Sequence, residues 1–103
     1  MEPQAEAREW SVYVALCGDG TFYTGIAKDV DERLAKHNAG RGAAYTRTRR
    51  PVALHFREDG FTRSGALVRE AEIKRWPRSR KDGLGRVDSA GKIKENGSPR
   101  RRP

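Results

Sequence analysis

A chain of 103 residues has room for one domain around one modest core. Apolar residues make up 35% of it, and 22 Lys and Arg against 14 Asp and Glu leave a net charge of +8. That balance favours an anionic partner, a polyphosphate backbone first among them. A helical membrane span is excluded, because no stretch approaches the ~18 consecutive apolar residues that one needs. Cys17 is the single cysteine. It has no partner for an internal disulfide, so a reducing, cytoplasmic setting is expected. Its place in an apolar run reads as buried filler. His37 and His55 are the only histidines, too few for a His/Cys metal cluster.

Residues 1–9 are polar and acidic and read as a flexible leader rather than a signal peptide. From Trp10 to Cys17 the chain is aromatic and β-branched, the pattern of a mostly buried strand. Gly18-Asp19-Gly20 signals a turn, and Thr21 to Ile26 forms a second strand, giving a hairpin. With the loop at Gly18 to Gly20, Cys17 faces Thr21, Ala15 faces Tyr23 and Tyr13 faces Gly25. Side chains alternate along a strand, so Tyr13 and Tyr23 project from one face as diagonal neighbours. A slip of one residue would separate them.

A helix follows, with Asp29 as N-cap, Glu32 as the other half of a capping box, and Gly40 as its stop. Val30 and Leu34 form its apolar stripe, and Arg33 and His37 lie one turn apart on the same side. Residues 40–50 lack apolar periodicity and read as a basic loop carrying Arg41, Arg47, Arg49 and Arg50. These arginines are either phosphate contacts or a merely solvated face; phosphate contact is the preferred reading. Val52 to Phe56 predicts a third strand that includes His55 as a packing or surface residue. Glu58-Asp59-Gly60 signals a turn, and Ser64 caps a second helix that runs to about Trp76, where Pro77 blocks it. From Gly83 to the end the chain turns Gly-, Lys- and Arg-rich and reads as a disordered basic tail. The domain proper is therefore placed at residues 10–82.

One residue breaks the pattern. Ala66, Leu67, Glu70, Ile73 and Lys74 share a face of the second helix, so Glu70 falls within the stripe that should meet the core. A carboxylate there is costly unless paired or bound to a cation. Either Lys74 or a neighbouring arginine pairs with it, or the helix is slightly rotated, or Glu70 is a metal ligand. Tyr13, Tyr23, Arg33 and His37, each taken alone, are more simply packing or surface residues.

Together these residues resemble the GIY-YIG nuclease superfamily, in particular its small single-domain bacterial members. Ser11-Val12-Tyr13 is similar to the first motif and Tyr23-Thr24-Gly25 to the second. Arg33 stands ten residues after Tyr23, Gly42 to Pro51 resembles the small members' linking loop, and Ala66 to Lys74 resembles the helix that carries the metal-binding Glu. Ser11 departs from the family's Gly, Thr24 from its middle residue, and His37 stands where some relatives have Tyr. Asp82 is the nearest polar residue to an Asn found beyond the Glu helix in some relatives. Spacing and order over roughly residues 10–82 carry the resemblance; each three-letter motif alone carries little.

The resemblance implies an α+β fold, a small and mainly antiparallel three-stranded sheet flanked by helices. It also implies a metal-dependent endonuclease that hydrolyses DNA phosphodiester bonds and is either structure-selective or weakly specific. Tyr13, Tyr23, Arg33, His37 and Glu70 are then the catalytic set. Glu70 would be the carboxylate of a Mg2+ or Mn2+ ion that keeps most of its waters. Arg33 would fork onto a phosphate oxygen. Tyr13 or Tyr23 would be the general base, helped by nearby positive charge because a phenol ionises near pH ~10. The alternative from another class is a non-catalytic module that binds DNA or RNA. A protein partner that supplies specificity is left open under both readings.

Overall fold

The computed structural model describes residues 7–84. It is an α+β domain of three strands and four helices: β1 (Trp10–Leu16), β2 (Phe22–Ala27), α1 (Val30–Asn38), α2 (Ala44–Arg47), β3 (Ala53–Phe61), α3 (Arg63–Lys74) and α4 (Arg78–Leu84). The sheet is antiparallel in the order β2-β1-β3.

The hairpin register is the expected one, with Tyr13 opposite Gly25 and Ala15 opposite Tyr23. Cys17 N–H donates to Thr21 C=O at 2.8 Å, closing the turn. Alternation along β1 then splits the core between the two faces of the sheet. Val12 and Val14 meet Phe56, Ala66, Ile73 and Leu84 on the side of α3 and α4. Tyr13, Ala15 and Cys17 meet Ala27, Val30 and Val52 on the side of α1. Ile73 is fully buried, and a side chain of that size contributes about 1.5–3 kcal/mol by leaving water. Cys17 is buried, in keeping with a filler role.

The capping of α1 follows the sequence: the Asp29 carboxylate accepts from the Glu32 N–H at 2.9 Å. Gly40, at φ 82°, takes the left-handed conformation that ends the helix. Asn38 then ties the helix end to the sheet by donating to Val52 C=O and accepting from Val52 N–H.

Four expectations are corrected. The supposed turn at Glu58-Asp59-Gly60 is part of β3, because β1 still offers partners there: Val12 pairs with Glu58 and Trp10 with Phe61, across a register shift. Gly60 absorbs the irregularity at φ 90°. The cap of α3 is Thr62, whose hydroxyl accepts from Gly65 N–H at 3.0 Å, while Ser64 lies inside the first turn. The basic loop contains α2, a single helical turn. Pro77 does end α3, but the chain starts again as α4, and Leu84 enters the core two residues past the expected boundary at 82. The remainder of the expected tail, and most of the leader, lie outside the described residues.

His55 packs as expected. Its ring lies 4.7 Å from that of Phe22, and its Nε2–H donates to Lys81 C=O, which fastens α4 to β3. Arg69 joins α3 to β3 through two bonds to the Glu58 carboxylate, and within α3 it also donates to Glu72. Such a fork fixes the rotation of α3 more firmly than a single contact would.

Candidate active site

Tyr13 and Tyr23 share the α1 face of the sheet, their ring centroids 6.3 Å apart. α1 lays His37 across both of them, its ring centroid 6.2 Å from Tyr13 and 5.1 Å from Tyr23. Tyr13 and His37 are each only 1% exposed. The Tyr13 hydroxyl lies 2.9 Å from His37 Nε2, and His37 Nδ1 lies 2.7 Å from the Thr46 hydroxyl of α2. Thr46 in turn donates to Ala43 C=O at 2.9 Å.

This last bond fixes the direction of the whole chain. The single proton of the Thr46 hydroxyl goes to a carbonyl, so toward His37 that oxygen only accepts, and Nδ1 carries the imidazole proton. Nε2 is then the bare nitrogen and accepts from Tyr13 O–H. The result is a buried, directed relay: Tyr13 to His37 to Thr46 to the main chain.

Two glycines leave room for it. A β-carbon on Gly25 would stand 2.7 Å from the Tyr13 hydroxyl oxygen, and one on Gly42 would collide with His37 Nδ1. Gly25 is thus required by the ring that crosses it, and Gly42 lets the loop close over the imidazole.

The electrostatics hold both groups neutral at rest. Burial pushes the Tyr13 phenol well above its ordinary range; Tyr23 and Glu70 push the same way, and Arg33 opposes them. Burial first, and then the Arg33 charge, lower the His37 pKa below its usual value. His37 is therefore an uncharged acceptor at neutral pH.

Arg33 is exposed on α1, and among the described residues nothing hydrogen-bonds or ion-pairs its guanidinium. It is available to an oxyanion. Glu70 sits on α3 between buried Ala66 and Ile73, its side chain 18% exposed. Glu70 is carried by a helix, α3, that covers the opposite face of the sheet from α1. Its charge nonetheless bears on the Tyr13 hydroxyl. At rest Glu70 pairs with Lys74 at 3.3 Å. Leu67 and Lys74 are exposed, so the helix is also rotated slightly from the simplest reading of its stripe.

Of the four loop arginines, two are engaged in the fold. The Arg50 guanidinium donates to Arg47 C=O and Asn38 C=O, closing the ends of α2 and α1. Arg49 lies 3.9 Å over the Tyr45 ring and donates to Tyr45 C=O. Its Nε comes within 3.0 Å of an Asp19 carboxylate oxygen but is not aligned for a hydrogen bond. Tyr45 stacks in turn on Tyr23, with centroids 6.0 Å apart. Arg41 and Arg47 are exposed, and among the described residues no ion pair holds either one.

Sequence reasoning did not single out Thr46, Gly42 or Tyr45. The only signal was their place in the Gly42 to Pro51 stretch. Nothing local marks Thr46 as the partner of a histidine nine residues earlier. The departure at Ser11 has a structural use: its buried hydroxyl donates to Asp59 at 2.6 Å, across to β3.

Such a sheet, with paired tyrosines beneath an exposed arginine, belongs to a known class of catalytic domain. The model of the GIY-YIG catalytic domain matches residues 9–82. The chain belongs to this family, a family of nucleases. Within it the chain is similar to the UPF0213 proteins. It is 54% identical over 70 residues to one from Staphylococcus epidermidis, a match covering 68% of this chain and 85% of that one. A UPF0213 protein of Staphylococcus aureus gives the same identity and coverage. Among solved structures, a UPF0213 protein from Bacillus halodurans is 40% identical, covering 73% of this chain and 80% of that one, with a TM-score of 0.45. A protein from E. faecalis is 39% identical, covering 80% and 84%, with a TM-score of 0.48.

Proposed function

We propose that this domain is a DNA endonuclease in which Tyr13, rather than Tyr23, is the general base. The observation that carries the reading is the directed relay from Tyr13 O–H to His37 Nε2, closed behind by Thr46. A buried phenol is a poor base if it must first ionise. The relay avoids that step: Tyr13 takes a proton from the attacking water while its own proton passes to His37. No free phenolate forms, and the proton ends on His37 Nε2. The imidazolium, disfavoured at rest, is stabilised by the negative charge that develops on the phosphate as the water attacks.

Arg33 receives a non-bridging phosphate oxygen and holds the phosphorus near the Tyr13 hydroxyl. The Tyr23 ring stands beside the relay, its centroid 5.1 Å from that of His37. The family's metal dependence fits this donor set. Among the described residues no three His, Cys, Asp or Glu side chains gather, which excludes a closed protein cage. One shielded carboxylate, Glu70, suits Mg2+ or Mn2+, which hold several waters and take a phosphate ligand. Such an ion, when bound, neutralises phosphate charge and stabilises the leaving oxygen. Lys74 would release Glu70 to hold it.

The exposed Arg41 and Arg47 extend positive charge beside the site and support phosphate contacts along the DNA. A net charge of +8 favours the same partner. Among the described residues no helix is long and apolar enough to cross a membrane. The test is nicking of branched and single-stranded DNA by the purified protein with Mg2+ and with EDTA. Wild-type protein nicks only with the ion, and Glu70→Ala does not nick at all while still binding DNA. If both proteins bind and neither cuts, the domain is a non-catalytic binding module.

A further inference from the structure

A second concavity lies where the start of β1, the end of β2 and α1 meet. It is a cleft of about 200 Å3 lined by Trp10, Lys28, Asp29, Glu32, Arg33 and Lys36 among others. Three of these six are cations, and one, Arg33, also acts on Tyr13 and His37. Arg33 lines the cleft and stands one helical turn before His37 on α1, which sets the cleft beside the Tyr13 site. Lys36 follows it by three residues on α1 and is likewise exposed. Trp10 is half-buried, and Lys28 and Arg63 each lie 5.7 Å from its ring.

We infer that this cleft is a nucleotide subsite that takes the unit flanking the scissile phosphate. Its phosphate sits between Arg33 and Lys36, and its base enters against Trp10. The inference rests on the nuclease reading above, because it uses Arg33 as the link between the two sites. Each kind of residue has a matching task. The cations neutralise phosphate, the indole offers an aromatic surface to which any base is attracted, and the two carboxylates bar the phosphate from the Asp29 end. One Asp29 oxygen is occupied by the helix cap, so Glu32 is the freer acceptor and favours a base carrying an amino group. A base can enter such a cleft only outside a duplex stack. The subsite therefore selects DNA with an unpaired or extruded nucleotide beside the cut.

The protein has two tryptophans, Trp10 and Trp76, hence two indole N–H signals in a proton–nitrogen correlation spectrum. Trp76 packs against the same core cluster as Trp10 but does not line the cleft, so it serves as an internal control. Trp10→Phe assigns the pair. Full-length protein in EDTA, where cleavage is blocked, is titrated with a short mixed-sequence single-stranded DNA, with a blunt duplex, and with a base-free sugar–phosphate strand of equal length. Single-stranded DNA is expected to shift or broaden the Trp10 signal and leave Trp76 in place, while the other two ligands leave both unmoved. Lys36→Ala is expected to weaken single-strand binding several-fold and to reduce the Trp10 response at equal ligand. If the single strand binds and Trp10 does not move, or if the base-free strand or the blunt duplex moves it equally, the subsite is wrong. Mg2+-dependent nicking, scored separately, would then still stand. If nothing binds, the subsite and the nuclease reading fall together.

Discussion

Thr46→Val is the most informative small change. Valine keeps the shape of threonine and removes only the hydroxyl, so the His37 Nδ1–H loses its acceptor inside a site where both residues are essentially inaccessible. Leaving a buried donor unsatisfied costs about 1–3 kcal/mol. For a domain of this size each kcal/mol lowers the melting temperature by roughly 4–8 °C. The same bond selects the imidazole tautomer. If its net worth is about 1 kcal/mol, losing it removes a bias of roughly five-fold toward the form whose Nε2 accepts from Tyr13. Nicking by the folded variant should therefore slow by up to about five-fold with little change in KM. Thr46→Ser, which keeps the oxygen, should restore most of the rate. The assay is initial-rate cleavage of a fluorophore–quencher DNA, read beside thermal melting. A folded Thr46→Val that cuts as fast as wild type would refute the tautomer argument. A valine variant slowed only in proportion to its unfolded fraction would refute it too.

Gly25→Ala and Gly42→Ala should both damage the relay from outside. The first drives a methyl into the Tyr13 hydroxyl and the second into the His37 ring. Each should cost about 1–3 kcal/mol in denaturant melts and a larger share of activity than of stability. Because the folded-state pKa of His37 lies below the ordinary imidazole value of about 6.5, the unfolded chain takes up the proton first as the solution is acidified. The His37 contribution to stability is thus intact above about pH 6.5 and is lost below it. The difference in unfolding free energy between wild type and His37→Gln should shrink on acidification through that window, as urea titrations at several pH values will show. Residues 85–103 carry six Lys or Arg and two acidic residues, +4 of the net +8. Deleting them should flatten the salt dependence of DNA binding, measured by anisotropy, while the melting temperature holds.

The site was legible in part because much of it is written locally. The hairpin register follows from one turn signal and strict alternation, and it alone places both tyrosines on one face. The Asp29 cap sets the phase of α1, which brings His37 inward and leaves Arg33 facing solvent. What was not legible depends on partners distant in sequence. Glu58-Asp59-Gly60 reads as a turn until β1 is seen to extend beside it, with Ser11 bonded to Asp59. Arg49 and Arg50 look like free cations, yet their donors are drawn to nearby carbonyls and to Asp19. Gly83 and Leu84 look like the start of a tail. The value of a core place for Leu84 emerges only once α4 is packed against β3. Glu70 was recognisable as an anomaly in an apolar stripe. Which side of the sheet its helix covers was not encoded in that stripe.

Catalysis by this relay depends most directly on Tyr13. Its hydroxyl is at once the donor to His37 and the proposed acceptor of the water proton, and Tyr13→Phe removes one oxygen while keeping the ring in the core. The decisive measurement is the single-turnover rate of Mg2+-dependent nicking by Tyr13→Phe, set beside wild type and Tyr23→Phe. Circular dichroism and anisotropy confirm that each protein is folded and binds DNA. General-base catalysis of this kind accounts for roughly 10²–10⁴ in rate. The predicted result is a loss in that range for Tyr13→Phe and a smaller one for Tyr23→Phe. A folded, DNA-binding Tyr13→Phe that nicks within a few-fold of wild type would contradict it.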